Sequence, residues 1–193
     1  MPVAAPRPAP ERSLRDVVLA VVGALFAILS LTAALRPTPP RARTGAEAVA
    51  HVQLATGSVQ VRPAETLGWQ TASRGDDVHE SDAVYVPPGS EARVVFPDGT
   101  VLELDERSLV VIEPRRGAGR SITLRQGSIA GVSGSVPLTF TTKDGTATLP
   151  PSSEARVDVT EGQLAVSVKK GKARVEAKGK ATDVEAGGRV RMM

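Results

Sequence analysis

PPGSEARVVFPDGTVLEL, residues 87–104, reads as two β-strands joined by a turn. Ala92, Val94 and Phe96 alternate with Glu91, Arg93 and Val95, so one set faces a core and the other faces away, the period-2 signature of a half-buried strand. Asp98-Gly99 makes the reversal, since glycine accepts the backbone angles of a tight turn and aspartate bonds to nearby backbone. The unit then recurs. At an offset of 63, Pro87-Pro88-Gly89-Ser90-Glu91-Ala92-Arg93-Val94 falls on Pro150-Pro151-Ser152-Ser153-Glu154-Ala155-Arg156-Val157, seven of eight positions being identical, and Asp98-Gly99 falls on Glu161-Gly162. Ala155, Val157 and Val159 alternate with Arg156, Asp158 and Thr160 as in the first copy. A duplicated β unit is therefore expected.

Strand patterns continue on both sides of the two copies. Alternating or apolar runs at 57–61, 108–112, 122–124, 128–130, 138–142, 164–168, 173–177 and 184–191 are separated by turn pairs such as Asp144-Gly145, Lys170-Gly171, Lys178-Gly179 and Gly187-Gly188. Arg125-Gln126-Gly127 reads as a connection between two of these strands. Turn signals every ~8–12 residues with no helical periodicity predict an all-β roll, sandwich or solenoid-like domain with an internal β repeat.

One segment departs from this pattern. Residues 17–35, VVLAVVGALFAILSLTAAL, form an uncharged run of 19 residues, about 28 Å long as a helix and so close to the thickness of a bilayer core. The run predicts one N-terminal transmembrane helix. A cleaved signal peptide is the alternative, but its apolar core is usually only about 7–15 residues long. Residues 1–16 are then a polar, proline-rich stub, 36–50 a proline-rich linker, and 51–193 the β domain, with a core at 51–131 and a C-terminal β extension at 132–193. Arg7, Arg12 and Arg15 precede the run and Arg36, Arg41 and Arg43 follow it, so arginine counting leaves the orientation tied.

The net charge of +3 suggests a nucleic-acid binder until it is divided along the chain. Residues 44–168 carry ten basic and sixteen acidic side chains, while 169–193 carry eight and three. The body is acidic, and no nucleic-acid partner is expected. Lys169, Lys170, Lys172, Arg174, Lys178 and Lys180 read as the solvated face of strands that turn Val175 and Ala177 inward. The absence of cysteine excludes disulfides, thiolate metal sites and cysteine nucleophiles together.

Catalytic chemistry finds little material. The two histidines are His51, where the domain begins, and His79, in the acidic segment Asp76-Asp77-Val78-His79-Glu80-Ser81-Asp82. Gly131-Val132-Ser133-Gly134-Ser135 resembles a nucleophile elbow but lacks its final glycine and the helix that should follow. Asp76, Asp77, Glu80 and Asp82 match no calcium loop, and a solvated turn is the expectation. Neither Glu103 nor Asp105-Glu106 argues for a glycosidase pair, and Gly117-Ala118-Gly119-Arg120 is too short for a dinucleotide loop. No catalytic residue, cofactor or metal is expected, and the chain is not expected to be an enzyme. Trp69 and Tyr85 are expected to fill the core of a chain with only 3% aromatic residues; as an alternative, they form a binding surface on which a sugar could stack.

An ordered set of motifs resembles the FecR domain, the extracytoplasmic domain of iron-dicitrate sensor-type regulators. It comprises Gly57-x-Val59-x-Val61, Trp69, Gly75, Asp82-x-Val84, Ser90-x-Ala92-x-Val94-x-Phe96-x-Asp98-Gly99-Thr100-x-Leu102-x-Leu104 and Ile122-x-Leu124-x-x-Gly127-Ser128-Ile129. Thr160 to Val166 and Glu185 to Val190 are similar to the strands that follow that domain. The resemblance implies an all-β periplasmic domain in a Gram-negative envelope, an inner-membrane anchor with a cytoplasmic N-terminus, and a signalling role through an envelope protein partner. Family members also carry a cytoplasmic domain with tryptophans that holds a sigma factor, and a C-terminal segment that meets an outer-membrane transporter. Residues 1–16 contain no tryptophan, so a sigma-factor partner is not expected through that stub. The expected function is a membrane-anchored, non-enzymatic signalling or protein-interaction domain, with a periplasmic glycan- or peptidoglycan-binding module as the alternative.

Overall fold

The computed structural model of the chain describes residues 47–160 and 163–192. The 1–16 stub, the 17–35 span, the linker up to residue 46 and the Glu161-Gly162 turn lie outside the described residues. Among the described residues no helix is long and apolar enough to cross a membrane, and every regular element is a strand. In chain order these are β1 (Ala50–Thr56), β2 (Gln60–Arg62), β3 (Gln70–Thr71), β4 (Asp77–Val78), β5 (Ala83–Val86), β6 (Glu91–Val95), β7 (Val101–Leu104) and β8 (Ser108–Ile112). There follow β9 (Arg120–Val132), β10 (Leu138–Thr141), β11 (Thr146–Leu149), β12 (Glu154–Thr160), β13 (Gln163–Lys170), β14 (Lys172–Ala177), β15 (Lys180–Glu185) and β16 (Arg189–Met192).

The strands form two sheets that share β9. Sheet A has the order β4-β1-β6-β7-β9-β12-β13-β16, and sheet B the order β3-β2-β5-β8-β9-β10-β11-β14-β15. Every pair is antiparallel except β9 with β10, which run parallel. β9 enters sheet B along Arg120–Gln126 and leaves through sheet A along Gly127–Val132. Gly127 is the bend, with φ of +90°, and a Cβ there would lie 2.5 Å from the Ser108 Cα. The connection expected at Arg125-Gln126-Gly127 is thus a kink inside one continuous strand. In the opposite sense, the run expected at 184–191 is two strands, because the chain turns at Gly187-Gly188 and crosses from sheet B to sheet A. The alternation at 57–61 begins with a turn, and β2 starts only at Gln60.

The two sheets close on a single core. Leu102, Leu104, Ile129, Val157 and Val166 come from sheet A and Ile122, Leu124, Phe140, Leu149 and Val175 from sheet B, all with exposures of 1% or less. Gly131 lets the layers meet: a Cβ on it would stand 2.3 Å from the Phe140 Cζ across the interface. Phe96 and Phe140 are the large fillers of this core.

The duplication seen in residues 87–94 extends over β5–β9, whose pairings recur in β11–β16. β11 starts 63 residues after β5, and β12 starts 63 after β6. The pairs β6–β7, β5–β8, β8–β9 and β7–β9 have counterparts in β12–β13, β11–β14, β14–β15 and β13–β16. Ala92 and Val94 in the first copy and Ala155 and Val157 in the second point into the same core.

Candidate functional site

The loop after β2 decides which side chains reach solvent. Buried Asp82 holds its base: Oδ1 accepts the Ala64 N–H at 3.1 Å and Oδ2 accepts the His79 N–H at 3.0 Å. Thr66 closes the loop, its N–H donating to the Pro63 carbonyl at 3.0 Å and its hydroxyl to the Gly68 carbonyl at 3.3 Å. A turn tied this tightly cannot fold its apolar residues inward. Leu67 is 96% exposed and Trp69 41% exposed.

Trp69 meets Tyr85 edge-on, with ring centroids 6.0 Å apart and planes at 61°, a favoured geometry for aromatic quadrupoles. The Arg62 guanidinium lies over the indole, 5.4 Å from its centroid. The expectation that Trp69 fills the core is wrong, and Tyr85 is only half-buried. Val84 and Val86 are fully buried on β5, so the period of the strand turns Tyr85 outward. The structure therefore brings the two aromatic residues together on the outer face of sheet B.

Only part of the acidic segment at 76–82 is a solvated turn, Glu80 and Ser81 being exposed and Asp76 and Asp77 half-buried. Asp82 is fully buried and His79 is 4% exposed, with its Nδ1 3.6 Å from Asp82 Oδ2 and without a hydrogen-bond partner. The Asp76 carboxylate accepts the Ser73 N–H at 2.8 Å, and the Glu80 carboxylate accepts the Arg115 N–H at 2.9 Å. Each of these carboxylates holds a piece of backbone. No group of three or more potential metal ligands converges among the described residues.

Ser133 is equally occupied. Its hydroxyl accepts the Ser153 N–H at 2.9 Å and donates to the Pro150 carbonyl at 2.5 Å, pinning the second PPxS segment to the end of β9. The serines of the duplicated octapeptide are held differently, Ser153 through its backbone N–H and Ser90 through its hydroxyl. Ser90 accepts the Ser58 N–H at 3.0 Å, and both Ser90 and Ser153 are buried.

Asp98 has a second task besides its turn. It accepts the Thr100 N–H at 2.8 Å and pairs with Arg120, whose guanidinium lies 4.2 Å from the centre of the Phe96 ring. Burial pushes the Asp98 carboxyl up, but hydrogen bonds from Thr100 and Arg120 and the charge of Arg120 outweigh it and hold the group below the ordinary carboxylate range. Only the partnership of Asp98 with β9, 22 residues away, was invisible in the sequence.

Both outer faces carry ion pairs, Arg174 with Glu176 of β14 on sheet B among them, and sheet B adds a field of hydroxyls. On sheet A, Arg93 pairs with Glu103, Arg156 with Asp105 and Lys169 with Glu154. On sheet B, the register places Ser121 and Thr123 of β9 beside Thr139 and Thr141 of β10, and these beside Thr148 and Thr146 of β11. Their neighbours in each strand, Ile122, Phe140 and Ala147, are fully buried, so the six hydroxyl side chains point outward. Sequence reasoning missed this field, although Ser-x-Thr, Thr-x-Thr and Thr-x-Thr stand in the chain, because β10 and β11 had not been placed beside β9.

Comparison with known proteins follows the duplicated unit. The family model described as FecR protein matches residues 82–185. Two solved structures of a "putative anti-sigma factor" from Parabacteroides distasonis ATCC 8503 share the fold, with TM-scores of 0.51 and 0.50 and 18% identity in each case. Each alignment covers 57% of this chain and 54% of the other, so the chain matches about half the length of those proteins. No curated protein matches it.

Proposed function

Because the chain belongs to the FecR protein family, its model matching residues 82–185, we propose that it is a regulatory protein of the cell envelope whose β domain receives a signal and passes it on by protein contact. Family membership is the observation that carries this reading. Residues 17–35 anchor the chain in the inner membrane, with 1–16 in the cytoplasm and the β domain in the periplasm. The resemblance in fold to proteins described as anti-sigma factors supports the same role. The chain works without catalysis: its buried Asp82 carboxylate and the Ser133 hydroxyl hold backbone in place.

The contact surface is the outer face of sheet B around Arg62, Leu67, Trp69 and Tyr85. An exposed tryptophan and arginine beside a half-buried tyrosine are of the residue types that dominate recognition energetics. The exposed Trp69 also favours the second reading, a glycan-binding module.

Two measurements test the proposal. A phosphatase reporter fused after Met193 should be active in the periplasm; activity of a cytoplasmic reporter alone would refute the topology. Cross-linking of the full chain in cells should trap an envelope protein, and Trp69→Ala should abolish the adduct. Adducts that are unchanged in the variant would place the contact elsewhere.

A further inference from the structure

We propose that the outer face of sheet B binds an extended, polyhydroxylated glycan strand, which becomes the input of the regulatory domain. The proposal rests on the reading that this face is the contact surface. It names the ligand class.

Three observations coincide on this face. At one end stands Trp69, 41% exposed, with the half-buried Tyr85 edge-on to it and the Arg62 guanidinium over the indole, and the C–H faces of pyranose rings stack on aromatic surface left open to solvent. Beyond Tyr85 the register carries the same face across β8 to the hydroxyl field on β9, β10 and β11. Over that field lies a depression of about 440 Å³, lined by Glu113, Arg116, Ser121, Thr123, Thr139 and Thr141 among others.

The chemistry of the face selects among ligands. Threonine is common on exposed strands by propensity alone, but here the six hydroxyls occupy adjoining positions on three neighbouring strands, bordered by Glu113 on one side and by the Arg174–Glu176 pair of β14 on the other. Thr139 and Thr148 already share a hydrogen bond at 3.3 Å, and the Thr123 hydroxyl donates to Glu113 at 2.6 Å. Hydroxyls bordered by charged hydrogen-bonding groups match a polyhydroxylated ligand, which offers donors and acceptors to both. From β5 to β11 the sheet takes four inter-strand steps, about 19 Å at ~4.8 Å each. One step is close to the length that a single ring adds to an extended β-linked chain, so the face has room for about four rings.

The test is calorimetric titration of the full chain with β-1,4-linked N-acetylglucosamine oligomers of two to six residues. Affinity should rise with length up to about four rings and then level off. Trp69→Ala should weaken binding about tenfold. Thr141→Val keeps the shape, removes one hydroxyl and should weaken binding severalfold, whereas Arg93→Ala on sheet A should leave it unchanged. Absence of binding by any oligomer, with the far-ultraviolet circular dichroism of the folded protein intact, would overturn the proposal. So would binding that is indifferent to both sheet B substitutions, or Trp69-dependent capture of an envelope protein that the oligomers do not displace. None of these results bears on the reporter fusion, so failure of the ligand and failure of the topology can be told apart.

Discussion

Replacing Gly131 by alanine should show how closely the two sheets depend on each other. A Cβ at this position would lie 2.3 Å from the Phe140 Cζ, 2.8 Å from its Cε2 and 3.0 Å from the Leu138 Cδ2. Carbon atoms rest at about 3.5–4.0 Å, so the ring must move by about an ångström within a fully buried site. Overpacking of this kind costs about 1–3 kcal/mol, and the rigid ring between two hydrogen-bonded layers argues for about 2. For a domain of this size that lowers Tm by roughly 4–8 °C. Phe140→Leu alone should cost about 1–1.5 kcal/mol by opening a small cavity. In the double variant the smaller side chain leaves room for the new methyl, and the combined loss should fall short of the sum by about 1 kcal/mol or more, a coupling expected of residues in direct contact. Urea unfolding of all four proteins, followed by circular dichroism, closes the cycle. An unchanged midpoint for Gly131→Ala, or strict additivity in the double variant, would show that the layers do not meet at this point.

Three further outcomes follow from the geometry. Asp98 ionises more readily in the folded chain than its ordinary value near 3.8 allows, so its contribution is fully present above that pH and is lost as pH falls through the lower folded value. Asp98→Asn should cost about 1–3 kcal/mol at pH 7, and the gap to the native chain should narrow below about pH 3.8 in denaturant titrations; a gap that persists in acid would refute the pairing. Ser133→Ala should cost about 1–3 kcal/mol in the same assay by stranding the buried Ser153 N–H, and a loss near zero would show that the hydroxyl is not needed there. Val94→Ala and Val157→Ala, at equivalent places in the two copies, should each cost roughly 2–3 kcal/mol and agree within about 1; a large inequality would mean that the copies are unequal partners in the core.

Much of this architecture was legible because alternation is a local property. The inward set Ala92, Val94, Phe96, Leu102 and Leu104 follows from a period of two and is buried in full. Burial on β5 shows the same rule at work in the site: Val84 and Val86 face inward, so Tyr85 faces outward. The rule failed at Trp69 because a turn, and no strand, carries it. Asp82 sets the base of that turn from 18 residues away, a distance over which no periodicity speaks. Asp82 itself was misread as solvated, since a carboxylate in a polar segment gives no hint that it will accept two buried N–H groups.

By itself the sequence determined that this protein is all-β over its later part, that residues 87–104 are one strand pair, and that the unit beginning at Pro87 is used again at Pro150. Octapeptides that match at seven of eight positions share their local preferences, and a half-buried strand records its facing in its own residues. What only the tertiary structure decided is the partnership of those strands: the bend of β9 at Gly127 that joins two sheets, the packing of Phe140 against Gly131, and the gathering of Trp69, Tyr85 and six hydroxyls on one outer face. The physical reason is the nature of sheet pairing. Register and neighbour are fixed by hydrogen bonds and core contacts between segments far apart in the chain, so the surface that a sheet presents is assembled from residues whose sequence positions do not announce that they will meet.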